Sequence, residues 1–304
     1  MTPDAYTISE QFLNVGDGHQ LYIQDWGNPK AKTPIIFLHG GPGSQSQDKH
    51  KGIYNPFQHR VIFFDQRGCG RSLPFGSLEH NTTQDLIEDI EKIASHMNLT
   101  KFVLVGGSWG CCLALVYALK YPKRIAAMVL NGIFTGTKKE MDWIAKGEFR
   151  LFFPEAWDSL LEQTPAIHKK NPAGYHISRI LGNDKSSARK SAYIYGNVES
   201  SLLALDDRFT PTDLETYDET STKIETHYSS NDCFLPDKYV IDKTHKLTMP
   251  IWLIQGRYDM VCPPITAYEL DKKLPDSHLV WTVGGHKAER ESWNVQRTIL
   301  SQWN

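Results

Sequence analysis

The sequence has no hydrophobic stretch long enough to cross a lipid bilayer. A membrane-spanning helix needs about 20 consecutive, mostly apolar residues, and no run in these 304 residues approaches that length. The first residues, 1–14, also lack the basic segment followed by an apolar core that marks a secretory signal. The sequence therefore predicts no membrane association and no secretory leader.

An excess of charge of one sign is also missing, and cysteines are few. Lys and Arg total 33 against 35 Asp and Glu, a formal net charge of −2, which disfavours nucleic acid or an anionic membrane as the main partner. The five cysteines are an odd number, and none has C-x-x-C spacing. Because this pattern is typical of reduced thiols, we expect a cytoplasmic protein without a disulfide framework.

What the sequence does contain is an alternation of strand and helix patterns toward both ends of the chain. Continuous apolar runs, typical of strands buried on both faces, occur at 34–38, 61–64, 102–105, 125–130, 251–254 and 278–283. Helical patterns occur at 82–97, 111–119, 267–273 and from Glu289 onward. An alternating segment after the turn at 16–18 predicts an N-terminal hairpin. Together these patterns predict a mostly parallel sheet with helices on both faces.

The strand pattern stops between about residue 135 and residue 246. Short amphipathic stretches alternate there with Pro, Gly, Asn and Ser, and the polar stretch 184–189 is predicted to be a surface loop. An insertion of about 110 residues is too long for an ordinary loop. We therefore predict a sheet domain formed by 1–134 and 247–304, interrupted by a helical cap at 135–246.

The stretch 102–110 combines a predicted strand with the pattern G-x-S-x-G. Its apolar residues lead directly into the glycines around Ser108, and an apolar helical run follows. A serine in this pattern between a strand and a helix is typical of the nucleophile elbow of α/β hydrolases, where small neighbours permit a sharp turn that exposes the hydroxyl. The predicted fold is therefore the α/β-hydrolase fold, and Ser108 is the predicted nucleophile.

A serine hydroxyl is a poor nucleophile near neutral pH unless a base and an orienting acid activate it. In this fold the acid and then the histidine follow the serine, in loops after later strands. Asp259 follows the predicted strand 251–254, and His286 follows the strand that ends at Val283. They are the predicted acid and base. Asp65 is the alternative acid, although its position before Ser108 favours a role in bracing the adjacent turn.

The tetrahedral intermediate of acyl transfer needs hydrogen-bond donors for its oxyanion. The backbone amide of Trp109, directly after the nucleophile, is one predicted donor. The second is expected from the glycine-rich loop 39–43, which follows the strand 34–38. Gly41 is the predicted donor in that loop, with Gly40 as the alternative.

Four motifs belong to one pattern: HGGPG at 39–43, DQRGCGRS at 65–72, GGSWG at 106–110 and GRYD at 256–259. In combination they resemble the motifs of the proline iminopeptidases (prolyl aminopeptidases), serine peptidases of the α/β-hydrolase fold. The resemblance extends from about Gly18 to the last predicted helix. It implies release of an N-terminal proline, with other small residues as further candidates, from small peptides through an acyl-enzyme intermediate. It also implies that the enzyme uses no metal and no organic cofactor.

The resemblance further implies which residues contact the substrate. Glu199 and Glu225 match the cap acids that hold the free amine of the peptide, a task that suits a carboxylate in a desolvated cleft. Phe134 and Cys262 match positions of the pocket that receives the pyrrolidine ring. The expected partner is therefore a small peptide with a free N-terminal amine.

The chain departs from the family pattern at two positions and leaves one alternative function open. Val198 replaces a common tryptophan and Ser229 replaces a common aromatic residue. We therefore expect a softer, more polar pocket and a smaller margin of preference for proline over alanine. The alternative is an esterase or small-amide hydrolase with the same triad, since the cap decides which acyl group fits. Ser108 excludes the route of epoxide and haloalkane hydrolases, which have aspartate at the elbow, and the complete triad disfavours a non-catalytic receptor.

Overall fold

The computed structural model describes residues 4–203, 205, 213–287 and 289–303. Its strands are β1 (Thr7–Gly16), β2 (His19–Gly27), β3 (Ile35–Leu38), β4 (Arg60–Phe64), β5 (Phe102–Ser108), β6 (Ile125–Ile133), β7 (Ile251–Gly256) and β8 (Ser277–Thr282). They form one eight-stranded sheet in the order β1-β2-β4-β3-β5-β6-β7-β8. β2 pairs antiparallel with β1 and β4, and the remaining pairs are parallel.

The α-helices in the described part of the chain are α1 (Thr83–His96), α2 (Trp109–Lys120), α3 (Lys138–Ala145), α4 (Pro154–Glu162), α5 (Pro172–Ile180), α6 (Lys185–Ser201), α7 (Thr220–Ser229), α8 (Pro264–Asp271) and α9 (Glu289–Leu300). Short 3₁₀ helices lie at Asp48–Ile53, Pro122–Arg124, Glu148–Leu151, Ala166–His168, Asp232–Phe234 and Ile241–Lys246. Within the described ranges, none of these helices has both the length and the apolar character needed to cross a membrane.

The α/β-hydrolase fold and the strands predicted from the apolar runs are confirmed. All four residues of β3 and the first five of β5 are buried, because helices cover both faces of the sheet. α1, α2 and α8 pack against one face and α9 against the other. The predicted N-terminal hairpin is β1–β2, in which Leu13 pairs with Leu21. Most of the continuous apolar runs thus mark strands that are buried on both faces. The exception is β8 at the edge of the sheet, where His278 is exposed.

The first helix begins at a capping box formed by Thr82 and Asp85. The backbone amide of Thr82 donates to the carboxylate of Asp85 at 3.0 Å, and the Asp85 amide donates to the Thr82 hydroxyl at 3.3 Å. α2 has a different character, since ten of its twelve residues are buried. This burial explains why its sequence is almost entirely apolar, without the polar stripe of a surface helix.

Between β6 and β7, the described residues form the helices α3 to α7 and no strand. This helical segment has its own hydrophobic core, which includes Phe149, Leu160 and Ile194. Residues 204 and 206–212 of the predicted cap lie outside the described residues. The core of the helical segment also includes Met260, in the loop after β7. The indole N–H of Trp143 donates to the Met260 carbonyl at 2.7 Å.

The prediction of a surface loop at 184–189 is wrong. Asp184 instead caps the start of α6, because its carboxylate accepts hydrogen bonds from the backbone amides of Ser186 and Ser187 at 3.1 and 3.4 Å. The stretch is polar because it forms the solvent-facing first turn of a helix. Aspartate is a favoured residue at the start of a helix because its carboxylate accepts from the free backbone amides there. Asp184 was therefore a helix-start signal in the sequence.

Candidate active site

Ser108 lies at the junction of β5 and α2, in a backbone conformation that is rare for residues other than glycine. Its φ is 56° and its ψ is −121°, and such strain occurs most often at functional sites. A Cβ atom on Gly106 would lie 2.5 Å from the carbonyl oxygen of Gly110, and one on Gly110 would collide with the Leu38 carbonyl. Glycine at both positions therefore lets α2 begin directly against β5 and β3.

Asp259 and His286 lie in the loops after β7 and β8, at the same edge of the sheet as Ser108. Nδ1 of His286 is 2.8 Å from Oδ2 of Asp259. The second carboxylate oxygen of Asp259 accepts hydrogen bonds from the backbone amides of Val261 and Cys262, at 3.0 and 2.8 Å. These bonds fix the carboxylate so that it faces the imidazole.

Asp65, the alternative acid, is occupied by other partners. It is fully buried and accepts hydrogen bonds from Nε of Arg71 at 2.7 Å and from the Ser46 hydroxyl at 2.6 Å. The guanidinium also donates to the Ser46 hydroxyl, at 2.9 Å. Asp65 therefore braces the loop after β4, and the geometry favours Asp259 as the acid that orients His286.

The imidazole of His286 is largely shielded from solvent, with 13% of the side chain exposed. Desolvation is the largest single influence and lowers its pKa, but the charge of Asp259, its hydrogen bond to the ring and the contributions of Cys262 together raise it by more, so that the pKa lies well above its ordinary value of 6.5. Gly132, at the end of β6, makes room for the ring. A Cβ there would lie 3.0 Å from Cε1 of His286.

One predicted oxyanion donor follows Ser108 in the chain, and the other shares a cavity with it. Trp109 is the first residue of α2, where a backbone amide has no acceptor within the helix. Gly41 lines the same cavity as Ser108, and its φ of 110° suits only glycine. Gly40 lies against the serine itself, since a Cβ there would lie 3.2 Å from the Cβ of Ser108.

Gln66 joins these two donor segments, and the sequence analysis missed this role. The indole N–H of Trp109 donates to Oε1 of Gln66 at 3.0 Å, and Nε2 of Gln66 donates to the His39 carbonyl at 2.9 Å. The backbone amide of Gln66 donates to Nε2 of His39 at 3.0 Å. Because Nε2 is thus an acceptor, Nδ1 carries the proton that is donated to the Gly40 carbonyl at 2.9 Å. In the sequence, Gln66 follows the predicted strand 61–64, and this position could have indicated a place at the same sheet edge as Ser108.

A cavity of about 220 Å³ opens from Ser108 between the sheet and the helical segment. We call it the glutamate cavity. Its lining includes the predicted substrate contacts Phe134, Glu199, Glu225, Ser229 and Cys262. Sγ of Cys262 lies 4.0 Å from Oγ of Ser108. Val198, by contrast, is buried in the core of the helical segment and does not line this cavity.

The carboxyl groups of Glu199 on α6 and Glu225 on α7 hydrogen-bond to each other across the glutamate cavity. Burial raises the pKa of Glu199 to about 7. The pKa of Glu225 lies well above its ordinary value, mainly because the carboxyl is buried and secondly because of the nearby charge of Glu199. Two carboxyl groups in such contact share a proton, and a cation placed between them can take its place. The pair is therefore suited to bind an ammonium group.

Glu140 is a third acid on the wall of the glutamate cavity, and the sequence analysis did not identify it. Its carboxylate accepts hydrogen bonds from the Thr135 hydroxyl at 2.7 Å and from the Thr137 amide at 2.9 Å. Burial nevertheless raises its pKa above the ordinary value. The spacing of Thr137 and Glu140 is that of a capping box, which was the available signal.

Comparison with known proteins places this geometry in a class and then in a family. A family model described as the alpha/beta hydrolase fold matches residues 33–288, so the chain is an alpha/beta hydrolase. A proline iminopeptidase of Xylella fastidiosa (strain Temecula1 / ATCC 700964) is 34% identical over 98% of this chain and 97% of its own length. The Arabidopsis thaliana proline iminopeptidase is 33% identical over 95% of this chain and 78% of its own. The chain belongs to the proline iminopeptidase family.

The solved structures support the fold independently of close sequence similarity. An esterase from Exiguobacterium antarcticum superimposes with a TM-score of 0.66 at 19% identity, covering 97% of this chain and 99% of its own. At that identity the likeness concerns the architecture alone. What distinguishes the chemistry must therefore be argued from the residues around Ser108.

Proposed function

We propose that this protein is a serine aminopeptidase that releases an N-terminal proline, and more slowly other small residues, from peptides. The observation that carries the proposal is that one cavity is lined by the Ser108 hydroxyl and by the carboxyl pair of Glu199 and Glu225. An amine held by that pair presents the carbonyl of the same residue to the serine. The relatives named proline iminopeptidase support this assignment.

The proposed division of labour follows the two parts of the chain. Residues 1–134 and 247–304 would form the catalytic domain, because the triad and both oxyanion donors lie in loops at the ends of its strands. Residues 135–246 would form the cap, which contributes the acids that recognise the amine. This division assigns the reaction to the sheet edge and the choice of substrate to the cap.

In the proposed acylation step, Oγ of Ser108 attacks the prolyl carbonyl while Nε2 of His286 takes the hydroxyl proton. Asp259 holds the Nδ1–H tautomer and stabilises the imidazolium that forms. The amides of Gly41 and Trp109 would donate to the oxyanion. As the C–N bond breaks, His286 returns the proton to the leaving amine, and the prolyl group remains as an ester on the serine.

In the proposed deacylation step, a water molecule takes the place of the leaving amine. His286 removes one proton from this water as the oxygen attacks the ester carbonyl, and then returns that proton to Oγ of Ser108. Proline leaves, and the free hydroxyl is regenerated. The protons and bonds balance over the two steps without any further reactant.

The proposed selectivity has a charged part and an apolar part. Glu199 and Glu225 would bind the cationic amine, while Phe134 and the thiol of Cys262 would contact the pyrrolidine ring. Burial raises the pKa of that thiol to about 11, so it behaves as a small apolar group at neutral pH. Ser229 gives one wall a hydroxyl in place of a ring, which softens the fit to proline.

The experiment that tests the proposal compares four substrates: prolyl-, alanyl- and N-acetylprolyl-naphthylamide, and a short-chain nitrophenyl ester. We expect the prolyl compound to give the highest kcat/KM and the acetylated one to be poor. Glu199→Gln and Glu225→Gln should each lower kcat/KM for free-amine substrates by about ten- to 150-fold, because a charged hydrogen bond at a desolvated site is worth about 1.5–3 kcal/mol.

The matched control is Glu162→Gln, which removes an exposed carboxylate from α4 outside the glutamate cavity. It should leave all four rates near those of the wild type. Equal kcat/KM for the prolyl and acetylprolyl substrates would disprove the amine site. The same conclusion would follow if the glutamine variants had the kcat/KM of the wild type on both substrates. Efficient ester turnover in that situation would establish the esterase alternative.

A further inference from the structure

A second cavity, of about 180 Å³, meets the glutamate cavity at Ser108. We call it the histidine cavity. Its polar and aromatic lining includes Ser44, His50, Asn131, His286, Lys287 and Trp293. Among the described residues, Ser108 is the one that lines both cavities. The proposed function uses the glutamate cavity for the prolyl group and leaves the histidine cavity unassigned.

The position of His286 indicates which part of a peptide lies in the histidine cavity. His286 lines this cavity and does not line the glutamate cavity. If the proposed function holds, His286 protonates the amine that leaves Ser108, so the leaving residue must lie on the same side as the imidazole. The prolyl residue then occupies the glutamate cavity and the following residue occupies the histidine cavity.

The two cavities differ in charge. The charged residues that line the glutamate cavity are Lys138, Glu140, Asp142, Glu199, Glu225 and Asp232. The described lining of the histidine cavity includes no acidic residue and one lysine, the solvent-exposed Lys287. Across Ser108, the wall thus changes from predominantly acidic to basic.

The position of Lys287 is tied to the helix that carries Glu199. Its backbone amide donates to the carbonyl of Leu203 at 2.7 Å, two residues beyond the end of α6. Lys287 also directly follows His286 in the chain. The backbone of Lys287 is therefore held beside His286, one residue from the imidazole that would protonate the leaving amine.

We infer that the histidine cavity binds the leaving residue of a dipeptide and that Lys287 attracts its free α-carboxylate. An extended residue spans at most about 3.6 Å, so the carboxylate of a dipeptide lies one residue beyond the scissile nitrogen, within this cavity. A longer peptide has an uncharged peptide group at that place. The acidic and basic walls therefore match the amine and carboxylate ends of a zwitterionic dipeptide that begins with proline.

The test compares Pro-Gly with Pro-Gly amide, which differ only in the terminal carboxylate. In the wild type, we expect kcat/KM to favour Pro-Gly, and Lys287→Met should reduce that ratio about two- to fivefold, the range for an ion pair open to solvent. Lys287→Arg, which keeps the charge, should retain most of the ratio. Raising the ionic strength from about 0.02 M to about 0.5 M should reduce the wild-type ratio and leave that of Lys287→Met almost constant.

The control variant is Lys101→Met, which removes an exposed lysine next to the opposite end of β5, about 20 Å from Ser108. Its ratio should equal that of the wild type. If the wild type cleaves prolyl-naphthylamide but the ratio is the same in Lys287→Met, the inference is wrong and the proposed function stands. If prolyl-naphthylamide is not cleaved, the proposed function is itself wrong.

Discussion

Glu199→Gln should stabilise the protein at alkaline pH while it weakens activity. Glu199 lines the glutamate cavity and hydrogen-bonds to Glu225, and burial raises its pKa to about 7. In the folded protein the carboxyl is therefore protonated at pH values where the unfolded chain would already have lost its proton. The stability that this protonated form contributes is lost as the pH rises through about 7.

The expected size follows from the pKa difference. The ordinary pKa is 4.5 and the folded value is about 7. Since one pKa unit corresponds to about 1.36 kcal/mol, ionisation of Glu199 costs the folded state about 3 kcal/mol at about pH 8, and under about 1 kcal/mol at about pH 5. Glutamine carries no charge at either pH. The variant should therefore gain about 2 kcal/mol more stability at the higher pH than at the lower one.

Urea unfolding followed by tryptophan fluorescence at the two pH values measures this difference. The control is again Glu162→Gln, because its carboxylate is exposed and its loss should change stability by similar small amounts at both pH values. If Glu199→Gln raises the free energy of unfolding equally at both pH values, the raised pKa of Glu199 does not account for its effect on stability. A loss of stability confined to the higher pH would refute this explanation as well, since that result requires an ionised carboxylate that stabilises the fold.

The remaining predictions concern catalysis. Ser108→Ala should lower kcat by about three orders of magnitude or more and leave the fold intact, as circular dichroism would verify. Asp259→Asn and His286→Ala should each be nearly as damaging, and their combination should add little, because the triad acts as a unit. Since the neighbours of His286, Asp259 foremost among those that raise it, together hold its pKa above 6.5, kcat/KM should rise with pH through a group above that value. Asp65→Asn should mainly reduce stability in urea unfolding; a severe loss of kcat there, with mild loss for Asp259→Asn, would reverse the assignment of the acid. Ser229→Phe should widen the preference for proline over alanine by about fivefold, which corresponds to about 1 kcal/mol of ring contact; an unchanged ratio would show that this wall does not contact the ring.

The sheet and the sharp turn at Ser108 were predictable because both are governed by local sequence. Strands buried on both faces need continuous apolar runs, and those at β3 and β5 contain little else. The turn at Ser108 needs glycine where a Cβ would collide with backbone, at Gly106 and Gly110. These constraints leave few alternatives, so a short pattern identifies the structure.

Apart from Glu140, whose partners are local, the residues that sequence reasoning missed depend on contacts between distant segments. Gln66 joins Trp109 to the loop at His39, across 43 and 27 residues of chain. The resemblance implied that Glu199 and Glu225 both hold the free amine, but their contact and their raised pKa values follow from burial between α6 and α7 and have no local signature. Lys287 acquires its neighbours in the same way, through loops that meet only in the folded chain.

The position of the carboxyl pair also gives a physical reason for cleavage after the first residue alone. Glu199 and Glu225 line the cavity that would receive the prolyl group, so an N-terminal extension would have to occupy the space beside them. In such an extended peptide the nitrogen of proline is part of a peptide bond and carries no charge. It therefore cannot offset the cost of burying the two carboxyl groups. An extended peptide is thus disfavoured twice, by added volume and by lost charge. A variant with only the charge removed, such as Glu225→Gln, should therefore lose affinity for free amines without gaining endopeptidase activity.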